Sequence, residues 1–202
     1  MKRFALGLTC VLFCLFVMTP AHATPVSLND VVNVTGWGPG GGGVITYHNN
    51  TTGADFDTFC LESGVYIYPG SYYQVTDISN NVISGGNGST SLAGQTKWLF
   101  YQWAMGSLDG YDKYGEYSLQ LAIWYFQKQV TEVADAGAEY FINIAEDGSY
   151  LPVFAANPTL LDSGKLTSKE GQSFLIIQTP EPLTLILLGA GLLGLAGLRR
   201  KE

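Results

Sequence analysis

Residues 44–61 read VITYHNNTTGADFDTFCL, and this stretch decides the fold class of the chain. Its two ends, 44–47 and 56–61, are rich in β-branched and aromatic residues, and the polar segment between them begins with Asn49 and Asn50. This pattern predicts two short strands joined by a turn. The stretch therefore indicates a domain built mainly from strands.

The same strand pattern extends on both sides of this stretch. Residues 65–68 and 72–78 are again aromatic or β-branched, and a Pro-Gly dipeptide between them indicates a turn. We therefore expect residues 26–83 to form mainly strands, followed by a glycine- and serine-rich loop at 84–91.

The following region has the periodicity of helices instead. Residues 116–129 are the clearest case, because one helical face carries five residues at the required spacing: Leu119, Gln120, Ile123, Trp124 and Gln127. Helices are also predicted at 92–105 and 132–145. Farther along, Asn157 and Pro158 indicate a turn, and residues 173–178 a final strand.

This order of strands, helices and strands predicts an α+β fold. We expect a β-rich sandwich or barrel with a helical insertion at about residues 90–146. The domain itself should span residues 24–179, which is enough chain for one hydrophobic core.

The N-terminus has the three parts of a secretory signal peptide. Lys2 and Arg3 precede an apolar run at 4–18, and Ala21 and Ala23 form a small-x-small cleavage site. We expect residues 1–23 to be removed on export. The alternative is an uncleaved anchor helix, which the short apolar run and the cleavage-type site disfavour.

The C-terminus carries a second signal. Pro180, Glu181 and Pro182 precede an uninterrupted apolar stretch at 183–198, and Arg199 and Arg200 follow it. As a helix this stretch would be roughly 24 Å long, slightly shorter than the hydrocarbon core of a bilayer. We expect a transmembrane helix at 183–198, with its basic end on the cytoplasmic side.

This tail resembles the PEP-CTERM sorting signal of Gram-negative bacteria. The resemblance spans residues 180–202 and implies that an exosortase cuts near the Pro-Glu-Pro motif. The protein would then be held in the inner membrane only until processing, and would end at the cell surface or in the extracellular matrix. A plain membrane anchor is the alternative interpretation of the same residues.

Charge and cysteine content narrow the possible partners. Residues 24–179 contain 15 Asp and Glu against 5 Lys, so the domain is acidic and nucleic acid is not an expected partner. Two of the three cysteines lie in the signal peptide. Cys60 is therefore the single cysteine of the exported chain, and it has no partner for an intrachain disulfide.

Two segments together resemble the bacterial thioester domain of surface adhesins. Residues 59–62 read FCLE, at the end of a predicted strand, and residues 119–124 read LQLAIW, on a predicted helix. Members of that family have an aromatic-Cys segment followed by a Gln-x-Ala-x-Trp helix, often with Thr where this chain has Leu119. The resemblance implies an internal thioester between the sulfur of Cys60 and the side chain of Gln120.

Such a bond would make the domain a covalent adhesin. A thioester is an activated acyl group, and the amine of a surface or matrix partner would attack it, forming an amide with Gln120 and freeing Cys60. The reaction occurs once, so we expect no enzyme and no cofactor. Apolar residues must keep water from the bond, and we expect Phe59 and Trp124 to do so.

Other interpretations of these residues remain open. A buried free cysteine often serves only as a small core residue, which would make this a non-reactive structural protein of the extracellular or biofilm matrix. A cysteine hydrolase would need His48 as its base. Asp109, Asp112 and Glu116 lack the spacing of an EF-hand loop, so we expect no metal site.

Overall fold

The structure, a computed structural model, describes residues 24–38, 42–68, 70–83 and 90–178. The predicted signal peptide, the predicted sorting tail and most of the glycine–serine loop lie outside the described residues. Among the described residues, no helix has both the length and the apolar character needed to cross a membrane. Residues Thr24–Gln178 form one compact unit.

The described residues of this unit form nine strands and three helices. The strands are β1 (Val31–Trp37), β2 (Ile45–Asn49), β3 (Ala54–Thr58), β4 (Tyr72–Ser79), β5 (Asn81–Val82), β6 (Thr90–Ser91), β7 (Val153–Asp162), β8 (Lys165–Glu170) and β9 (Phe174–Ile177). The helices, α1 (Gly94–Ala104), α2 (Tyr111–Phe126) and α3 (Ala136–Ile144), all lie between β6 and β7. The expected strand-rich fold with a helical insertion is therefore confirmed.

Seven of the strands form one antiparallel sheet. Its order is β3-β2-β1-β4-β7-β8, and β9 pairs with β7 as well. The described strands do not form a closed barrel, so that alternative is wrong, whereas the sandwich alternative stays a prediction. The chain after β3 runs beside β9, where Cys60 and Phe174 form an isolated bridge.

Buried side chains form two clusters on either side of this post-β3 segment. Phe59 and Leu61 belong to the cluster that contains the helices, whereas Cys60 belongs to the cluster of the sheet. The split follows from the extended backbone, in which successive side chains point in opposite directions. The segment therefore packs against the helices with one side and against the sheet with the other.

Two local predictions from the sequence are wrong. Residues 65–68 form no strand, and β1 and β7 occupy both edges of β4, the strand with which this segment would have formed a hairpin. Asn157 and Pro158 lie inside β7 rather than in a turn. The pairing of β4 with β7 has an irregularity at this point, which tolerates a proline that cannot donate a hydrogen bond.

Candidate functional site

Cys60 lies on an extended segment that is fixed to β9 by several hydrogen bonds. The hydroxyl of Thr58 donates to the carbonyl oxygen of Leu175 at 2.5 Å. The backbone N–H of Leu61 donates to the carbonyl of Ser173 at 3.0 Å. Because these contacts stand on both sides of Cys60, its main chain has a defined position, and its side chain is 5 % exposed.

Gln120 approaches Cys60 from α2. The helix buries one face, with Leu119, Gln120 and Ile123 fully inaccessible to solvent. Gly115 has a φ of 79° and a ψ of −178°, so the backbone changes direction there before the turn that carries Gln120. A left-handed φ of this kind suits glycine, because it has no Cβ to clash with the backbone.

The side chain of Gln120 forms two hydrogen bonds with the main chain of Cys60. The backbone N–H of Cys60 donates to Oε1 of Gln120 at 3.0 Å. In the other direction, Nε2 of Gln120 donates to the carbonyl oxygen of Cys60 at 2.8 Å. The structure therefore brings the two sequence-predicted partners together, and an N–H donor polarises the carbonyl of the carboxamide.

A cavity of about 490 Å³ opens beside this pair. Cys60, Gln120 and Trp124 all line it, together with the exposed aromatic side chains of Trp37 and Tyr66. The indole Nε1 of Trp124 is buried and has no hydrogen-bond partner among the described residues. The cavity therefore has aromatic side chains in its wall beside the Cys60–Gln120 pair.

The two expected shielding residues have different positions. Trp124 lines the cavity, as its proposed role requires. Phe59 faces the opposite side of the extended segment and packs edge-on against Trp103, with ring centroids 4.9 Å apart. The alternation of side chains along an extended backbone separates Phe59 from the sulfur of its neighbour.

Glu62 is a further residue of the site that the sequence reasoning did not single out. Its side chain is 1 % exposed and lines the same cavity as Cys60. Its carboxylate accepts the backbone N–H of Ser173 at 2.9 Å, and Gln172 donates to its carbonyl oxygen. The spacing of two residues from Cys60 was the available signal, because alternate side chains of an extended segment share a face.

The electrostatics of the site keep the thiol protonated. Burial, and after it the negative charge of Glu62, raises the pKa of the Cys60 thiol well above its usual range. Burial also raises the pKa of Tyr47, which belongs to the same core cluster. A thiol in these surroundings needs a base to become a nucleophile, since the thiolate is the reactive form.

His48 does not belong to this site. Its ring Nδ1 lies 2.7 Å from the carboxylate of Asp55, on a solvent-accessible part of β2 and β3. Tyr47, its neighbour in β2, faces the core cluster of Cys60. Because strand residues alternate between faces, His48 points away from that cluster.

The acidic residues noted in the sequence have other contacts. Asp109 accepts a hydrogen bond from the hydroxyl of Tyr140. Glu116 accepts the backbone N–H of Val44 at 3.4 Å and so supports the loop between β1 and β2. Within the described ranges, no cluster of three metal-ligating side chains is present.

Comparison with known proteins identifies the C-terminal signal. Residues 178–201 match the PEP-CTERM protein-sorting motif. The match includes Pro180, Glu181, Pro182, Arg199 and Arg200, and it indicates an exported protein that an exosortase processes after a stage of C-terminal membrane anchoring. No curated protein and no solved structure matches the chain.

Proposed function

We propose that residues 24–179 form a covalent adhesin domain that uses an internal thioester between Cys60 and Gln120. The observation that supports this most is the pair of hydrogen bonds between the Gln120 carboxamide and the Cys60 main chain, 3.0 and 2.8 Å long. They hold the acyl carbon beside the residue that carries the nucleophile. Holding both groups in place replaces a bimolecular encounter and favours the reaction.

Formation of the bond is a balanced exchange without any cofactor. The sulfur of Cys60 attacks the carboxamide carbon of Gln120, and the S–C bond forms as the C–N bond breaks. The thiol proton goes to the departing nitrogen, which leaves as ammonia. The backbone N–H of Cys60 stays on the carbonyl oxygen, where negative charge develops in the transition state.

In the reaction with a partner, the thioester is exchanged for an amide. A primary amine attacks the thioester carbonyl, an amide forms with Gln120, and the Cys60 thiol is restored. The cavity that both residues line gives such an amine a place to enter beside the bond. Trp124, in the wall of this cavity, would limit access of water.

The sorting motif supports a role outside the cell. An exported chain that an exosortase processes encounters surface and matrix molecules, many of which carry amines. A covalent bond to such a molecule would fix the protein there irreversibly. We therefore place the adhesin at the cell surface or in the extracellular matrix.

An amine-trapping experiment tests this function. The exported protein is incubated with methylamine, digested, and its peptides are analysed by mass spectrometry beside a Cys60→Ala variant. The parent should carry methylamine on Gln120 alone and should gain one thiol that reacts with maleimide after unfolding. Methylamine on Gln120 in both proteins, or in neither, would contradict the proposal.

A second function is favoured by the same contacts. Gln120 satisfies both main-chain groups of Cys60, and the thiol packs in a core cluster, so the two residues serve a purely structural purpose equally well. The protein would then be a non-reactive component of the extracellular or biofilm matrix with the same sorting motif. Its Cys60 would react with maleimide on unfolding without any amine treatment.

A further inference from the structure

We propose that Glu62 transfers the proton in the formation and the aminolysis of the thioester. This inference rests on the proposed function, since it concerns the same cavity. Formation needs a group that removes the proton from sulfur and delivers it to the departing nitrogen. The geometry of the cavity wall leaves Glu62 as the candidate.

Position is the first argument. Cys60 and Glu62 are two residues apart in the chain, and both line the cavity. Gln120 lines it as well. Cys60, Gln120 and Glu62 therefore border one cavity, in which a proton can pass between their side chains.

Elimination is the second argument. Among the described residues that line the cavity, Glu62 carries the only carboxylate, and none is a histidine, lysine or arginine. His48 is bonded to Asp55 on the other face of β2. The burial that raises the pKa of the Cys60 thiol makes a general base necessary.

The third argument is the orientation of the carboxylate. The backbone N–H of Ser173 donates to one of its oxygens at 2.9 Å, and Gln172 donates to the Glu62 carbonyl. The first contact holds the carboxylate and the second holds the main chain of the same residue, which is 1 % exposed. A carboxylate fixed at a cavity wall is suited to proton transfer at a defined position.

The step balances as follows. The carboxylate of Glu62 accepts the proton of the Cys60 thiol while sulfur attacks the Gln120 carbon, and the negative charge moves to Oε1. The carbonyl then re-forms, the C–N bond breaks, and the carboxylic acid returns the proton to nitrogen, which leaves as ammonia. In aminolysis the same carboxylate takes a proton from the attacking amine and gives it to sulfur.

The test follows bond formation in the full-length protein. Treatment with concentrated ammonium buffer reverses the thioester to thiol and carboxamide. Ammonia is then removed, and the intact mass is followed with time for the parent, for Glu62→Gln and for Glu139→Gln. Glu62→Gln keeps an oxygen for the Ser173 N–H, and Glu139→Gln makes the same change of charge at an exposed site of α3.

Glu62→Gln should lose ammonia at least about 100-fold more slowly than the parent, because general acid–base catalysis contributes about that much. Glu139→Gln should match the parent. If the parent forms the bond and Glu62→Gln forms it equally fast, the role of Glu62 is overturned while the thioester stands. If the parent never loses ammonia, the thioester itself is refuted, and the role of Glu62 with it.

A second variant covers the case in which Glu62→Gln does not fold. Glu62→Asp keeps a carboxylate but shortens the side chain by one methylene group. It should lose ammonia several-fold more slowly than the parent, because a displaced base is less effective in proton transfer. A Glu62→Asp protein that loses ammonia as fast as the parent would overturn the proposal.

Discussion

The side chain of Gln120 and the main chain of Cys60 form a closed pair of hydrogen bonds, although 60 residues separate them in the chain. Both hydrogen bonds are buried. Removal of the Gln120 amide therefore leaves one N–H and one carbonyl oxygen without partners. This contact should stabilise the fold whether or not a thioester forms.

The first prediction concerns this stabilisation. In a Cys60→Ala background, which excludes the thioester, Gln120→Leu should lower the free energy of unfolding by about 2–5 kcal/mol, since each unpaired buried group costs about 1–3 kcal/mol. Gln129→Leu is the matched control, because Gln129 bonds Ser63 at an exposed site and should cost less than about 1 kcal/mol. Urea denaturation measures both, and equal losses would contradict the account.

The second prediction concerns pH. The folded-state pKa of the Cys60 thiol is raised by burial and then by Glu62, so the folded protein keeps a proton that the unfolded chain releases above about pH 8.5. Stability is therefore fully present below that pH and is lost as pH rises. Each pH unit beyond it removes about 1.4 kcal/mol until the raised pKa is reached.

The comparison needs a protein whose thiol cannot be acylated. Gln120→Leu should lose roughly 1–2 kcal/mol more between pH 7 and about pH 10 than the same protein with Cys60→Ala. Tyr47 is present in both proteins, so burial, the largest cause of its raised pKa, acts in both. Parallel pH profiles of the unfolding free energy would show that the thiol is not in a buried environment.

The third prediction concerns the packing of α3 against α2. A methyl group on Gly137 would lie 2.5 Å from Oγ of Ser118 and 2.8 Å from Cβ of Tyr114. Gly137→Ala should therefore destabilise the protein by about 1–3 kcal/mol, although alanine is the better helix former. Gly64→Ala meets nothing within 4 Å and should change stability by less than about 1 kcal/mol. A stabilised Gly137→Ala protein would contradict this packing.

The fourth prediction concerns processing. Alanine at Pro180, Glu181 and Pro182, inside the matched sorting motif, should leave the precursor in the membrane fraction with residues 183–202 attached. Glu202→Ala lies outside the match and should be processed normally. Peptide mapping of the surface or released protein measures the outcome. Intact tail peptides in the released parent would refute exosortase cleavage.

The sequence predicted the parts of this fold that depend on local periodicity. The strands around Tyr47 and Val75 and the helix that carries Gln120 were recognisable from side-chain alternation and helical spacing. The strand expected at 65–68 failed because partner availability, which one sequence does not reveal, decides whether an extended segment joins a sheet. The turn expected at Asn157 and Pro158 was also wrong, because an irregular register between β4 and β7 accommodates the proline inside a strand.

The sequence likewise predicted one part of the candidate site and not another. The pairing of Cys60 with Gln120 was implied by the resemblance of their two segments to a known family, and the structure places the two residues in hydrogen-bond contact. The role proposed for Glu62 rests on its position in the cavity wall, for which its spacing from Cys60 was the only signal in the sequence. Phe59 and Cys60 point in opposite directions because side chains alternate along an extended backbone, and this could have been predicted from the sequence.

The intact mass of the purified domain, residues 24–179, tests the central claim most directly. The parent and the Cys60→Ala variant are each compared with the mass calculated from their own sequence. The thioester predicts that only the parent is lighter, by the mass of one ammonia. If fresh samples of both proteins match their calculated masses, no thioester is present and Cys60 is an ordinary core thiol.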